Sequence, residues 1–175
     1  MLEATFSKII RDDFIHTLSK PEEYDEDGRI VKPRRRPHVE LVRDSYNSGK
    51  KPYDFYVVYH KVFCAIELKV VKGKSIKLEL VSSHQIESLY EVEHCGPIAG
   101  GFVVLYVPDY DDRLALVIPV YSWKKTLKEN KDVTSIKIED YMARYEGMYT
   151  EMRREKGEDN RLHWDIRKIT GYEKY

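Results

Sequence analysis

The spacing of apolar residues divides the chain into helical and extended segments. Helical spacing covers residues 3–19, 84–94, 123–131 and 138–154. Extended runs cover residues 39–42, 54–59, 62–70, 75–81, 102–107 and 114–121. This order predicts an α/β fold in which a mixed central β-sheet is flanked by helices.

The length of 175 residues predicts a single domain. We expect a core over about residues 1–125, a helical C-terminal extension over about 126–175 and a mobile basic segment over about 29–38. No apolar run is long enough to cross a membrane, and the first residues do not resemble a secretory signal. With only Cys64 and Cys95, a disulfide framework is excluded, so a cytoplasmic location is expected.

Charge is distributed unevenly along a chain whose formal net charge is zero. Residues 1–28 hold three basic and eight acidic residues, a net charge of −5, whereas residues 29–77 hold thirteen basic and four acidic residues, a net charge of +9. A local excess of this size predicts attraction to a polyanion. A solvated surface balanced by the acidic stretch is the alternative.

A predicted hairpin over residues 54–70 contains the candidate chemistry. If Tyr59 faces Val62 across a tight turn, Asp54 faces Glu67, and Lys69 points to the same side as Glu67. Two opposed carboxylates destabilise a sheet unless a cation lies between them, and carboxylates with waters and phosphate are typical of a magnesium site. An ordinary ion pair between Glu67 and Lys69 on an exposed sheet face is the alternative.

The spacing of Asp54, twelve intervening residues and Glu67-Leu68-Lys69 resembles the PD-(D/E)xK nuclease motif, with the proline displaced to Pro52. More specifically, the chain resembles the RecU family of Holliday junction resolvases, with the archaeal resolvases as relatives. The stretches that resemble this family are residues 2–10, 52–69, 83–89 and 95–106.

The resemblance implies a restriction-endonuclease-like nuclease core and a set of site residues. Asp54, Glu67 and the backbone carbonyl of Leu68 would bind Mg²⁺, for which Mn²⁺ would substitute. Lys69 would assist the attacking water, Glu3 would support the metal site, and Gln85 would lie close to it. The implied activity is the resolution of four-way (Holliday) junctions by a homodimer that makes paired symmetric nicks, in a prokaryotic cell or a virus-infected host cell.

Basic and hydroxyl side chains around the hairpin are candidates for DNA binding. The extended basic segment over residues 29–38 would contact DNA phosphates, and loops beside the hairpin would add further phosphate contacts. The predicted DNA-binding residues are Lys32, Arg34, Arg35, Arg36, Ser48, Lys50, Lys51, Lys72 and Lys74.

Other interpretations remain open at this point. Glu3 could be an exposed acid at a helix N-terminus, and Ser83 could act only as an N-cap with Gln85 in the first helical turn. The chain could be a restriction-like or repair endonuclease that acts on other DNA structures, or a non-catalytic DNA-binding module.

Overall fold

The computed structural model describes residues 3–19, 23–32, 36–42, 51–59, 61–157 and 159–170. The elements in chain order are α1 (Glu3–Leu18), β1 (Glu23–Tyr24), β2 (Ile30–Lys32), β3 (His38–Leu41), β4 (Phe55–Tyr59), β5 (Val62–Val70), β6 (Ser75–Lys77), a 3₁₀ turn (Leu78–Leu80), α2 (Ser83–Glu93), β7 (Ala99–Tyr106), β8 (Leu114–Pro119), α3 (Val120–Glu129), β9 (Ser135–Lys137), α4 (Ile138–Arg144), β10 (Thr150–Lys156), β11 (Leu162–Trp164) and α5 (Arg167–Thr170).

A seven-stranded sheet in the order β11-β10-β8-β7-β5-β4-β3 forms the centre. Its central pair, β5 and β7, is parallel, and its other neighbouring strands are antiparallel. Two small pairs, β1–β2 and β6–β9, lie outside it. This architecture confirms the predicted α/β fold with a mixed sheet and flanking helices.

Both faces of the sheet are covered by apolar cores. On one face, Phe6, Ile10 and Phe14 of α1 are fully buried in a core that includes Ile66 and Trp164. On the other face, the core includes Leu89 of α2, Trp123 of α3 and Tyr141 of α4. The even-numbered residues of β5 therefore face a core, as their apolar pattern predicts, but the odd-numbered face is also covered.

The register of the β4–β5 hairpin confirms the predicted pairing. Tyr59 pairs with Val62 and Phe55 with Ile66, antiparallel. Asp54 precedes the strand, and its backbone N–H donates to the carbonyl oxygen of Ile66 at 3.1 Å. The regular pairing thus ends at Phe55, so Asp54 is not the ladder partner of Glu67 as predicted, although its carboxylate lies close to Glu67.

The predicted helix over residues 138–154 is wrong in its second half. Helix α4 ends at Arg144, Gly147 follows with φ of +78°, and β10 then pairs with both β8 and β11. Glycine tolerates this backbone conformation and separates the helix from the strand. The C-terminal region is therefore a mixture of helices and strands rather than the predicted helical extension.

Helix α2 packs closely on the sheet at Gly101 of β7. A Cβ atom at this position would lie 2.2 Å from the carbonyl oxygen of Leu89, so only glycine permits this approach. Ser82 is the N-cap of the helix, which corrects the expected N-cap, Ser83.

The predicted basic segment is only partly described. Residues Ile30–Lys32 form a strand paired with β1, and residues 33–35 lie outside the described part of the chain. No helix among the described residues is both long enough and apolar enough to span a bilayer.

Candidate active site

The predicted site residues Glu3, Asp54, Glu67, Lys69 and Gln85 meet at one end of the central sheet. This end lies where β4 begins and β5 ends, and the N-termini of α1 and α2 lie beside it. Four elements that are separate in sequence thus bring three carboxylates, an ammonium and an amide together.

Asp54 is held in place at the start of β4 by the neighbouring strand. Asp54 is 5% exposed, and its Oδ2 accepts a hydrogen bond of 2.8 Å from the Leu68 backbone N–H. Its other oxygen, Oδ1, is paired with the Lys51 ammonium. Because the N–H and C=O of a residue in an extended strand point to the same edge, the Leu68 carbonyl also faces the Asp54 side of β5.

Glu67 is fully buried, yet only one of its two oxygens has a partner among the residues that the structure describes. Oε1 lies 2.6 Å from Lys69 Nζ and accepts a hydrogen bond of 2.6 Å from Gln85 Nε2. Oε2 is buried and has no hydrogen-bond partner among the described residues. This burial excludes the alternative of an ordinary ion pair on an exposed sheet face.

Lys69 joins the strand acids to helix α1. Its ammonium lies 2.6 Å from Glu67 Oε1 and 3.4 Å from Glu3 Oε1. The Lys69 side chain is mostly buried, whereas Glu3 is about half exposed at the start of the helix. Glu3 therefore contacts the charged cluster through Lys69.

The Gln85 amide is oriented by the N-terminus of α2. Ser82 and Gln85 form a capping box, in which Gln85 Oε1 accepts hydrogen bonds of 3.1 Å from the backbone N–H and the hydroxyl of Ser82. With the amide oxygen fixed in this way, Nε2 points at Glu67. The capping box and the contact with Glu67 therefore depend on the same side chain.

Burial and charge shift the protonation of the central groups. Burial, together with the nearby Asp54 carboxylate, raises the pKa of Glu67 to about 7. Burial by itself would lower the pKa of Lys69, but the hydrogen bond to Glu67 and the surrounding carboxylates outweigh it, so the pKa of Lys69 is raised. Lys69 is accordingly an ammonium at neutral pH, which suits charge neutralisation better than proton abstraction.

The donor set fits a hard divalent cation. Asp54 and Glu67 offer carboxylate oxygens, and the Leu68 carbonyl faces the same edge. Glu67 Oε2 is a buried acceptor with no partner in the described part of the chain. Mg²⁺ prefers oxygen ligands and is often held by one or two carboxylates together with substrate phosphates. A cation here would relieve the unfavourable proximity of the two acids.

A cleft of about 460 Å³ opens beside the acids, between α1 and the start of β4. Glu3, Ser7, Lys8, Arg11 and Asp54 are among its lining residues. Sequence reasoning did not identify Ser7, Lys8 and Arg11. Their spacing from Glu3, at four, five and eight residues, was the available signal, because it places them on one helical face.

The predicted DNA-binding residues have different positions in the structure. Arg36, Lys72 and Lys74 are exposed, and Lys51 is paired with Asp54 inside the site. The other candidates, Lys32, Arg34, Arg35, Ser48 and Lys50, have side chains outside the described part of the chain. A DNA-binding role stays a prediction for all nine residues.

Comparisons with known proteins find similarity among solved structures. No protein-family model matches the chain, and no curated protein matches it. Among solved structures, the chain is similar to Archaeoglobus fulgidus Hjc, a Holliday junction resolvase from an archaeal hyperthermophile, with 20% identity and a TM-score of 0.43. That match covers 61% of this chain and 79% of the archaeal protein.

Proposed function

We propose that this protein is a Mg²⁺-dependent endonuclease that resolves four-way DNA junctions by paired symmetric nicks. The observation that supports it most is the buried Glu67, whose Oε2 has no partner in the described structure although Asp54 lies beside it. A buried carboxylate is costly unless it is paired or coordinates a metal. The position of Glu67 between Asp54 and Lys69 matches the motif that the sequence resembles.

Each side chain has a role in phosphodiester hydrolysis. Asp54, Glu67 and the Leu68 carbonyl would hold the cation, which when bound supplies positive charge that polarises a phosphate oxygen. The Lys69 ammonium would orient the attacking water and neutralise negative charge that develops on the phosphate. Gln85 keeps Glu67 in position, and Glu3 keeps Lys69 directed at the site.

DNA would approach through the cleft beside the acids. Lys8 and Arg11 line this cleft and offer cations for phosphates, and exposed Lys72 and Lys74 follow the catalytic strand along the chain. The net charge of +9 over residues 29–77 favours the same polyanionic partner.

The choice of a four-way junction rests on the sequence resemblance. Resolution requires two opposed cuts, and a symmetric homodimer supplies two sites from one gene. Mn²⁺ would replace Mg²⁺, because both accept carboxylate, carbonyl and water ligands.

A cleavage assay tests the proposal directly. A labelled four-way junction, a matched linear duplex and a single strand are incubated with the full chain in Mg²⁺, in Mn²⁺ or in chelator. We expect paired nicks in the junction, loss of cleavage with chelator, and a loss of at least about 1000-fold in Asp54→Asn and Glu67→Gln. Glu139→Gln, an exposed acid on α4, is the matched control.

Each other outcome rejects part of the proposal. Equal or better cutting of the linear duplex would leave a nuclease with a different DNA substrate. Junction binding without cutting in either metal would leave a binding module and reject the enzyme.

A further inference from the structure

A second cluster of ligand-bearing side chains lies near the opposite end of α1. His16 is in the last turn of this helix, His163 is in β11, and Asp159 lies between β10 and β11. Their ligand atoms lie within 4.8 Å of one another. Thirteen residues of helix separate His16 from Glu3, about 20 Å along the axis, so this cluster is distinct from the acid site.

A buried carboxylate fixes the orientation of one imidazole in the cluster. Asp13 is 4% exposed, its Oδ1 lies 2.7 Å from His163 Nδ1, and its Oδ2 accepts a hydrogen bond of 2.8 Å from the Trp164 backbone N–H. Since a carboxylate only accepts, His163 Nδ1 carries a hydrogen. The opposite ring nitrogen, Nε2, is thereby directed at Asp159, at 2.9 and 3.0 Å from its two oxygens.

We propose that His16, Asp159 and His163 form a binding site for a late first-row divalent cation, Zn²⁺ in the first place. Two imidazoles and a carboxylate are a ligand set that suits zinc, and Mg²⁺ prefers oxygen ligands. Metal-binding histidines usually donate their second ring N–H to a carboxylate, and Asp13 occupies this position for His163. The ion would replace the hydrogen that Nε2 shares with Asp159.

Only a small rearrangement closes the site. The His16 and His163 rings are stacked, with centroids 4.7 Å apart and planes within 11°. His16 is exposed, so its ring can turn about the Cβ–Cγ bond to direct a nitrogen at the space between His163 and Asp159. A solvent molecule would complete the coordination. The ion would join the C-terminal end of α1 to the β10–β11 connection.

Calorimetric titration of the full chain with Zn²⁺ in saturating Mg²⁺ tests the site. We expect one Zn²⁺ per chain, a rise in the melting temperature, and a visible d–d spectrum of four-coordinate type when Co²⁺ is used instead. Because His16 is exposed, His16→Ala keeps the fold and should abolish the one-to-one binding, the thermal shift and the Co²⁺ spectrum. His94→Ala and Cys95→Ser, at the exposed end of α2, are controls that should retain all three signals.

Asp13→Asn tests the orienting role without a change in size. An asparagine amide donates to His163 Nδ1, which moves the ring hydrogen to Nε2 and removes the lone pair that the ion needs. We expect Zn²⁺ affinity to fall about 10- to 100-fold, with the Co²⁺ spectrum weakened in parallel.

Two results would overturn the proposal. One is a wild-type chain that binds no Zn²⁺ at one-to-one stoichiometry in the presence of Mg²⁺. The other is His16→Ala that binds Zn²⁺ as tightly as the wild type. Neither result depends on DNA cleavage, so this site stands or falls independently of the proposed nuclease activity.

Discussion

Asp13 of α1 and Glu67 of β5 are both buried carboxylates, but their oxygens are used differently. Both oxygens of Asp13 have partners, the His163 ring and the Trp164 backbone N–H. Glu67 concentrates its contacts on Oε1, where Lys69 and Gln85 both bind, and its Oε2 has no partner among the described residues. Burial, and then the negative charge of Asp54 beside it, raise the pKa of Glu67.

This difference indicates that Asp13 stabilises the fold, whereas the surroundings of Glu67 are partly unfavourable for a buried acid. Asp13 links α1 to β11, which are distant in sequence, and satisfies a backbone donor in doing so. Glu67 lies beside a like charge, and buried acids with perturbed pKa values cluster at functional sites. The comparison predicts that a substitution of Asp13 mainly lowers the stability of the fold. A substitution of Glu67, or of the Lys69 cation beside it, should mainly lower activity.

The largest expected effect is the loss of junction cleavage when Lys69, the cation beside Glu67, is replaced. Lys69→Met should lower junction cleavage about 1000-fold, because the water and the developing negative charge lose the ammonium. Binding of Mn²⁺ should be retained, since both acids remain. Single-turnover cleavage and electron paramagnetic resonance of Mn²⁺ measure the two properties separately.

Lys128→Met, a substitution of an exposed lysine on α3, is the matched control and should cleave at the wild-type rate. Wild-type cleavage by Lys69→Met would show that Lys69 only balances the charge of Glu67.

The second largest expected effect is a change in the free energy of unfolding with pH, which arises from Glu67. Burial and the neighbouring Asp54 carboxylate raise the pKa of Glu67 in the folded chain to about 7, from its ordinary value of 4.5. The folded state therefore binds the Glu67 proton more tightly than the unfolded state does. The stability that this proton contributes is lost as the pH rises from about 4.5 to 7. The free energy of unfolding without metal should fall by about 3 kcal/mol over this range relative to Glu67→Gln.

Chemical denaturation of both proteins at a series of pH values measures this difference. Added Mg²⁺ should restore stability above pH 7 in the wild type but not in Glu67→Gln. If the free energies of unfolding of the two proteins changed with pH in parallel, the raised pKa of Glu67 would be contradicted.

Asp13 should instead affect the stability of the fold. Asp13→Ala leaves the buried Trp164 N–H without its acceptor and should cost about 2 kcal/mol. Asp12→Ala, an exposed neighbour on the same helix, is the control and should change stability by less than about 0.5 kcal/mol. Thermal unfolding distinguishes the pair, and equal melting temperatures would contradict the role assigned to Asp13.

The smallest effect concerns the support of Glu67 from α2. Ser82→Ala removes the hydroxyl that accepts from the Gln85 backbone N–H and should destabilise the protein by about 1 kcal/mol. Ser83→Ala should be near neutral, because Ser83 lies inside the helix rather than at its cap. Urea denaturation of both variants checks this, and equal losses would reject the assigned cap.

Sequence reasoning was most successful where the information is local. The assumption of a tight turn, with Tyr59 facing Val62, predicted the register of the hairpin correctly, and the Asp54 carboxylate just before it lies close to Glu67. The pattern Ser82-x-x-Gln85 was also a readable capping box, although Ser83 was predicted as the cap. The burial of the Glu67 face was not predictable, because it depends on where α2 packs.

The C-terminal region shows why the rest could not be predicted. Residues Thr150–Lys156 contain charged residues with good helix propensity, yet they form β10 because β8 and β11 offer partners on both sides. Tertiary pairing overrides a weak local preference in such cases. The His16–Asp159–His163 cluster also depends on this arrangement, because His16 is far in sequence from the other two residues.

Binding of Mn²⁺ at pH 8, followed by electron paramagnetic resonance, tests the central claim most directly. His16→Ala serves as the background, so that the histidine cluster does not contribute to the signal. We predict bound Mn²⁺ in this background and its loss when Asp54→Asn or Glu67→Gln is added. Unchanged Mn²⁺ binding after both acid substitutions would contradict the assignment of Asp54 and Glu67 as the metal site.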